Sequence, residues 1–335
     1  MLLKDLSSLQ IKNNLSLVSP SNEPVPFKEI GIGKPLLIRL HSVYLGDLKD
    51  TGLFKSKKAV VVCSRIKDDI TYNEAPRAVH QIFDKKDSRK ILYPSAGNEG
   101  TPLIYYSQAF DKDLLRITLE LKADNFNDKI FDKISSFLSS AAGLPIFSVV
   151  SNYILAGSQI IKSASDLINQ AIDDAPAFLT FDSSIVDGVG GLRNTTEGFK
   201  MVINEQHENE FKGYEITESG HNKNQFKLSK NGKEYKGDAP YMIWSFNGEE
   251  VTHYTNFTPT LANANILKKF FGENENTGVE ELNKMVELYS DFNYIEKIKK
   301  AEKLLIDSSG DTKERLEELI KAYKKNITND TIFKI

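Results

Sequence analysis

Cysteine is almost absent: the 335 residues contain one, Cys63. That excludes an intramolecular disulfide framework and a zinc site built from several cysteines, and it fits a reducing, cytoplasmic setting. Tryptophan is also single, Trp244, and arginine is scarce beside lysine. Arginine is the side chain suited to bidentate phosphate or guanine contacts. The net charge of −3 adds no basic field, so nucleic acid is not an expected partner. The five histidines, His41, His80, His207, His221 and His253, show no HxxxH or HExxH spacing. No Walker loop or GxSxG element occurs, and the cluster of Gly188, Gly190 and Gly191 lacks the GxGxxG or GK[ST] continuation of a phosphate cradle. The N-terminus carries Asp5 and no continuous apolar run, unlike a secretory signal. With 40% hydrophobic and 27% charged residues, the expectation is an ordinary soluble chain without cofactor or catalytic motif.

What is present is a long uncharged run. No charge occurs between Ile134 and Ile161. Phe147, Val150, Ile154, Gly157, Ile161, Ala164, Ile168 and Ala171 recur at spacings of three and four, one stripe of a helix. Ile130, Ile134, Phe137 and Ala141 make a similar stripe before it, with Asn127 or Asp128 as cap and Gly143-Leu144-Pro145 as the turn. Residues 128–174 therefore predict a helical hairpin. Each uncharged arm is short, or rich in Ser and Asn, against the ~20 mainly apolar residues of a membrane span. The apolar surface offered to a partner or a membrane comprises Phe137, Leu138, Leu144, Ile146, Phe147, Val150 and Ile154. The same pattern also suits two helices buried against a sheet.

The rest of the chain reads mostly as strands, then helices. Residues 1–30, with Pro20, Pro24 and Pro26, form an arm with room for one edge strand. Leu36 to Val43, Ala59 to Ile66, Leu103 to Ser107, Phe178 to Val186 and Phe199 to Asn204 are strand-like. Leu115, Ile117, Leu119 and Leu121 alternate with polar residues, as a half-buried strand does. Pro76 to Asp84 suggests a short helix inside a long charged loop. Residues 206–257 read as a β-meander with hairpin turns at Asn231-Gly232 and Asn247-Gly248, and Trp244 as core. Thr258 and Pro259 open a helix ending at Gly272. Val279 to Asp307 is a long amphipathic helix with Asn293 as a candidate break, and Asp311 opens a last one. The predicted class is α+β: an antiparallel β-sandwich over 31–205 with the hairpin inserted, the meander extending it, and a helical region over 258–335.

Two segments carry a family resemblance. LLIRLHSVYLGDLKDTG followed by AVVVCSRI resembles the opening strand, acidic first loop and next strand of a C2 domain. LLRITLELKADNFNDKI resembles that family's later strand running into an acidic loop. The resemblance spans residues 34–205 apart from the insertion. It implies an antiparallel sandwich that binds acidic phospholipid through calcium held between these loops. The implied ligands are Asp47 and Asp50 in one loop, and Asp124 and Asp128 in the other. Calcium takes six to eight oxygen ligands, which clustered carboxylates suit. The chain departs from the family where Asn125, Phe126 and Asn127 separate Asp124 from Asp128, and in the long insertion that follows.

The function these features suggest is a non-catalytic interaction module. It would engage an acidic membrane surface or a protein partner through the hairpin or the acidic loops. The alternatives are a structural, self-associating subunit of a larger assembly, a membrane-permeabilising effector that inserts the hairpin, and an enzyme of unfamiliar type.

Overall fold

Fourteen strands occur among the described residues of this computed structural model. It describes residues 17–18, 24–25, 27–47, 59–68, 77–83, 89–94, 101–112, 114–124, 177–186, 197–219, 225–251, 254 and 279–329. In chain order the strands begin with β1 (Leu17–Val18), β2 (Pro24–Val25), β3 (Leu36–Tyr44), β4 (Ala59–Asp68) and β5 (Arg77–Phe83). There follow β6 (Ile91–Leu92), β7 (Leu103–Ser107), β8 (Leu114–Asp124), β9 (Ala177–Val186) and β10 (Gly198–Ile203). The last are β11 (Glu215–Glu218), β12 (Phe226–Lys230), β13 (Lys233–Glu234) and β14 (Tyr241–Asn247). Two helices close the described chain, α1 (Val279–Leu305) and α2 (Gly310–Lys325). The architecture is α+β, with every strand ladder antiparallel.

One sheet has the order β10-β14-β3, with β6 and β7 sharing the far side of β3; a second has the order β5-β4-β8-β9. A single apolar cluster draws on both. Leu36, Ile38, Leu40, Ile104, Val202, Met242, Trp244 and Phe246 come from the first, and Val60, Val62, Leu115, Ile117, Leu119 and Leu121 from the second. The opposite face of the first sheet is covered too. There Tyr44, Met201, Ile203, Tyr241 and Ile243 pack with Phe211, Ile216, Phe226, Leu228 and Tyr235, which belong to the small sheet β11-β12-β13 and its flanks.

A β-bulge lets β3 serve both cores. Its register with β14 steps from Ser42↔Ile243 to Leu40↔Trp244, leaving His41 as the extra residue. An extra residue inverts side-chain parity. Leu36, Ile38 and Leu40 therefore share the first cluster with Val43, while Tyr44 faces the other.

Several expectations need correction. Residues 77–83 form strand β5, not a helix, because the edge of β4 offers a full ladder to a segment too short to be helical by itself. The Asn231-Gly232 turn is present, with both residues at positive φ (52° and 75°) as a tight hairpin requires. Asn247-Gly248 makes no hairpin. β14 ends there, and the Gly248 amide donates to the carbonyl of Lys28, so close to the chain that a Cβ would lie 2.0 Å from the Glu29 oxygen. The β14 segment leaves the meander and inserts between β10 and β3. Helix α1 runs unbroken through Asn293. The arm contributes a two-residue ladder, Leu17↔Val25 and Val18↔Pro24. The helix expected over 258–272 lies outside the described residues.

Candidate functional site

Backbone hydrogen bonds bring the approaches to two strands of different sheets together. Phe110 exchanges backbone hydrogen bonds with Gly33 and Lys34 just before β3 begins, and β8 begins four residues later. The starts of β3 and β8 thus lie near each other. Register sets the starts of β4 and β9 beside the exit of β8: Ala59 pairs with Asp124, and Lys122 with Ala177.

The chain after β3 is clamped. The Arg89 amide donates to the Gly46 carbonyl (2.7 Å) and the Asp47 amide to the Asp238 carbonyl (2.9 Å). Gly46 sits at φ +66°, where a Cβ would lie 2.2 Å from the Asp238 oxygen, so only glycine fits. The Arg89 guanidinium, on a residue at φ +60°, bridges Asp47 Oδ2 (3.0 Å) and Asp238 Oδ1 (2.6 Å). Asp47, a candidate calcium ligand, is therefore already paired with a cation. Calcium would have to compete with that guanidinium. Arg89 and Asp238 are nearly 150 residues apart in sequence, and no local pattern announces their pairing.

Of the other candidate ligands, Asp124 closes β8, while Asp50 and Asp128 lie outside the described residues. So do Phe137, Leu138, Leu144, Ile146, Phe147, Val150 and Ile154. Among the described residues, no group of three or more His, Cys, Asp and Glu side chains could hold a metal ion, and no helix is long and apolar enough to cross a membrane.

Two histidine–serine pairs, unsuspected from sequence, occur at the two bulges that carry a histidine. On β5 the register with β4 steps from Val62↔Gln81 to Cys63↔Val79, which makes His80 the extra residue. Its Nδ1 lies 2.9 Å from the Thr101 carbonyl, and its Nε2 lies 2.9 Å from Ser64 Oγ. A carbonyl only accepts, so Nδ1 carries the proton and Nε2 accepts from the serine. Burial drives the His80 pKa down to about 4, and the ring is neutral at physiological pH. This is the local geometry of a serine with a general base. Both side chains, however, are fully buried. Ser64 and Lys67 have Ser-x-x-Lys spacing, which on a strand points the two to opposite faces. His41, the other bulge residue, places Nε2 2.7 Å from Ser245 Oγ, with its ring edge-on to Phe199 and Phe226. These pairs staple neighbouring strands together.

Cys63 does not meet His41, which stands in the other sheet. It lies opposite Glu120, within 3.5 Å of Oε2, and Arg65 grips the same carboxylate at 2.9 and 3.3 Å. Glu120 and Lys122 were expected on a solvated face, but both are buried. Strand β8 is thus half-buried only over its first part.

No family model matches the chain, and neither a curated protein nor a solved structure matches it.

Proposed function

We propose that the chain is a binding module, an antiparallel β-sandwich of C2-like organisation that engages its partner through the helical hairpin of residues 128–174. The observation that carries this reading is the direct pairing of β8 with β9, from Leu114↔Val186 to Lys122↔Ala177. The chain departs after Asp124 and returns at Ala177 on the neighbouring strand, about 5 Å away. The long uncharged segment is thus the stretch of sequence that connects two antiparallel neighbours, β8 and β9. The apolar cluster shared by the two large sheets supports the sandwich.

Flotation with vesicles containing acidic phospholipid, run with calcium and with chelator, tests the reading. Calcium-independent flotation that is lost in the Phe147→Glu, Ile154→Glu double variant is the result expected for the hairpin on a membrane. Flotation only with calcium would assign the contact to Asp47, Asp50, Asp124 and Asp128. Absence of flotation in both conditions would leave a protein partner as the hairpin's target. Unfolding by the double replacement would put these side chains in the core and overturn the reading.

A further inference from the structure

From the second aromatic core, a line of hydrogen bonds runs out to an exposed histidine. Between β10 and β11 lies a 3₁₀ helix, Glu205–Phe211, opened by Asn204, whose side chain accepts from the Gln206 amide. Residues three apart eclipse in such a helix, which sets His207 beside Glu210. His207 Nδ1 lies 2.6 Å from Glu210 Oε1. The Tyr235 hydroxyl donates to the other oxygen, Oε2, at 2.8 Å, and itself accepts from the Ala239 amide at 3.2 Å. Tyr235 is buried, with its ring against Phe211 and Tyr241. Gly237 packs so close that a Cβ there would lie 2.3 Å from the hydroxyl. Burial first, and Glu210 next, raise the Tyr235 pKa, so the phenol keeps its proton.

A carboxylate only accepts. Nδ1 therefore carries the proton of the neutral ring, and the lone pair is left on Nε2. The His207 side chain is 38% exposed, and no hydrogen bond engages Nε2 among the described residues. A carboxylate behind the imidazole fixes its tautomer and makes the far nitrogen more basic. Bond formation at Nε2 puts positive charge on the ring, and the bond from Nδ1–H to Glu210 strengthens as that charge grows. Glu208 is exposed on the same helix. With Glu210 it disfavours anionic donors such as phosphates, while an uncharged electrophile approaches without that penalty.

We propose that His207 is a nucleophilic histidine, a modification site that accepts acyl groups from uncharged activated esters and anhydrides, with Glu210 and Tyr235 as its positioning residues. Nε2 attacks the carbonyl carbon, forming the C–N bond. The C–O bond to the leaving group breaks, and its electron pair departs with the oxygen. Loss of the Nδ1 proton gives a neutral N-acylimidazole. Water then hydrolyses it, restoring the imidazole and releasing the acid, with no redox change. The assignment is independent of what the hairpin binds.

Brief treatment of the full-length protein with diethyl pyrocarbonate, read by peptide mass spectrometry, is the test. It is run at pH 8 with N-acetylhistidine in the same tube as reference, whose free imidazole is then neutral. His207 is expected to be acylated about tenfold faster than that reference, the scale of one hydrogen bond to a charged group. The buried His41 and His80 should be slowest. Ring nitrogen-15 NMR is expected to show the Nδ1–H tautomer at His207. Glu210→Gln keeps an acceptor without the charge and should bring His207 down to the reference rate. Acylation of His207 no faster than the reference overturns the proposal, as does an Nε2–H tautomer, or an unchanged rate in a folded Glu210→Gln protein. If that variant fails to fold, the wild-type rate and tautomer still decide.

Discussion

The sheets and the C-terminal helix pair are held by different physics. The sheets meet through a broad apolar cluster fed by six of the strands, Trp244 and Phe246 among its members, with a second aromatic core behind. The helix pair has a small apolar contact of its own, in which Ile298, Ala301 and Ile320 are buried. It is fastened to the sheets by polar groups. The Asn326 side-chain amide donates to the Ala109 carbonyl and accepts from the Ala109 amide, as a strand would. Lys297 reaches Asp111, and Lys325 reaches Glu250. Burial is non-directional and scales with area, whereas hydrogen bonds fix a geometry for about 1 kcal/mol each. The sheets should therefore fail together, and the helices should detach one fastener at a time.

The largest effect tests the first half of that contrast. Trp244→Ala empties a fully buried site shared by both sheets, with an expected loss of about 3–5 kcal/mol. The whole β-region should then unfold at lower urea in one transition, by both fluorescence and far-UV circular dichroism. Two separated transitions would show that the sheets do not share a cooperative core.

Next comes acid. His80 is neutral in the fold with a pKa of about 4, against 6.5 when unfolded. Between these values the unfolded chain binds a proton that the native chain does not. Stability is therefore complete above pH 6.5 and lost as pH falls toward 4, by up to about 3 kcal/mol at 1.4 kcal/mol per pH unit. Urea midpoints between pH 7 and 4 should follow this slope. His80→Gln, which keeps hydrogen-bonding capacity without titrating, should flatten His80's share of it. An unchanged slope in that variant would assign the acid sensitivity to other groups.

What was legible in the sequence follows the same division. The residue pattern marked β3, β4, β7, β9 and β10 as apolar or β-branched runs, β8 by alternation, and the two C-terminal helices by helical spacing. It misplaced β5, where Arg77, His80 and Gln81 interrupt any apolar run and the ladder offered by the edge of β4 decides the form. It also read a hairpin at Gly248, where the glycine serves a close approach to Glu29 instead. The polar sites were the least legible. Nothing local to His80 announces Ser64 and Thr101, and Arg89 meets Asp238 only because two distant loops converge. Asp47 was identified as an acid in a loop, but not as the partner of a cation.

The smallest effect is the sharpest for the helices, because it separates attachment from folding. Asn326 caps α2 and grips Ala109, while Asp291 of α1 accepts four hydrogen bonds from the backbone and side chains of Thr328 and Asn329. The first fastener ties the pair to the sheets, and the second ties α1 to the segment beyond α2. Asn326→Ala should cost about 1 kcal/mol and raise amide exchange at Ser107 to Asp111 and along the docked face of the helices. Exchange within the α1–α2 contact should stay slow, because Asp291 and the Ile298–Ile320 packing are untouched. Asp291→Ala should do the reverse, loosening the end of the pair while leaving the amides near Ala109 protected. If both variants raise exchange in both places alike, the helices and sheets form one cooperative unit, and the polar fasteners are only part of a shared core.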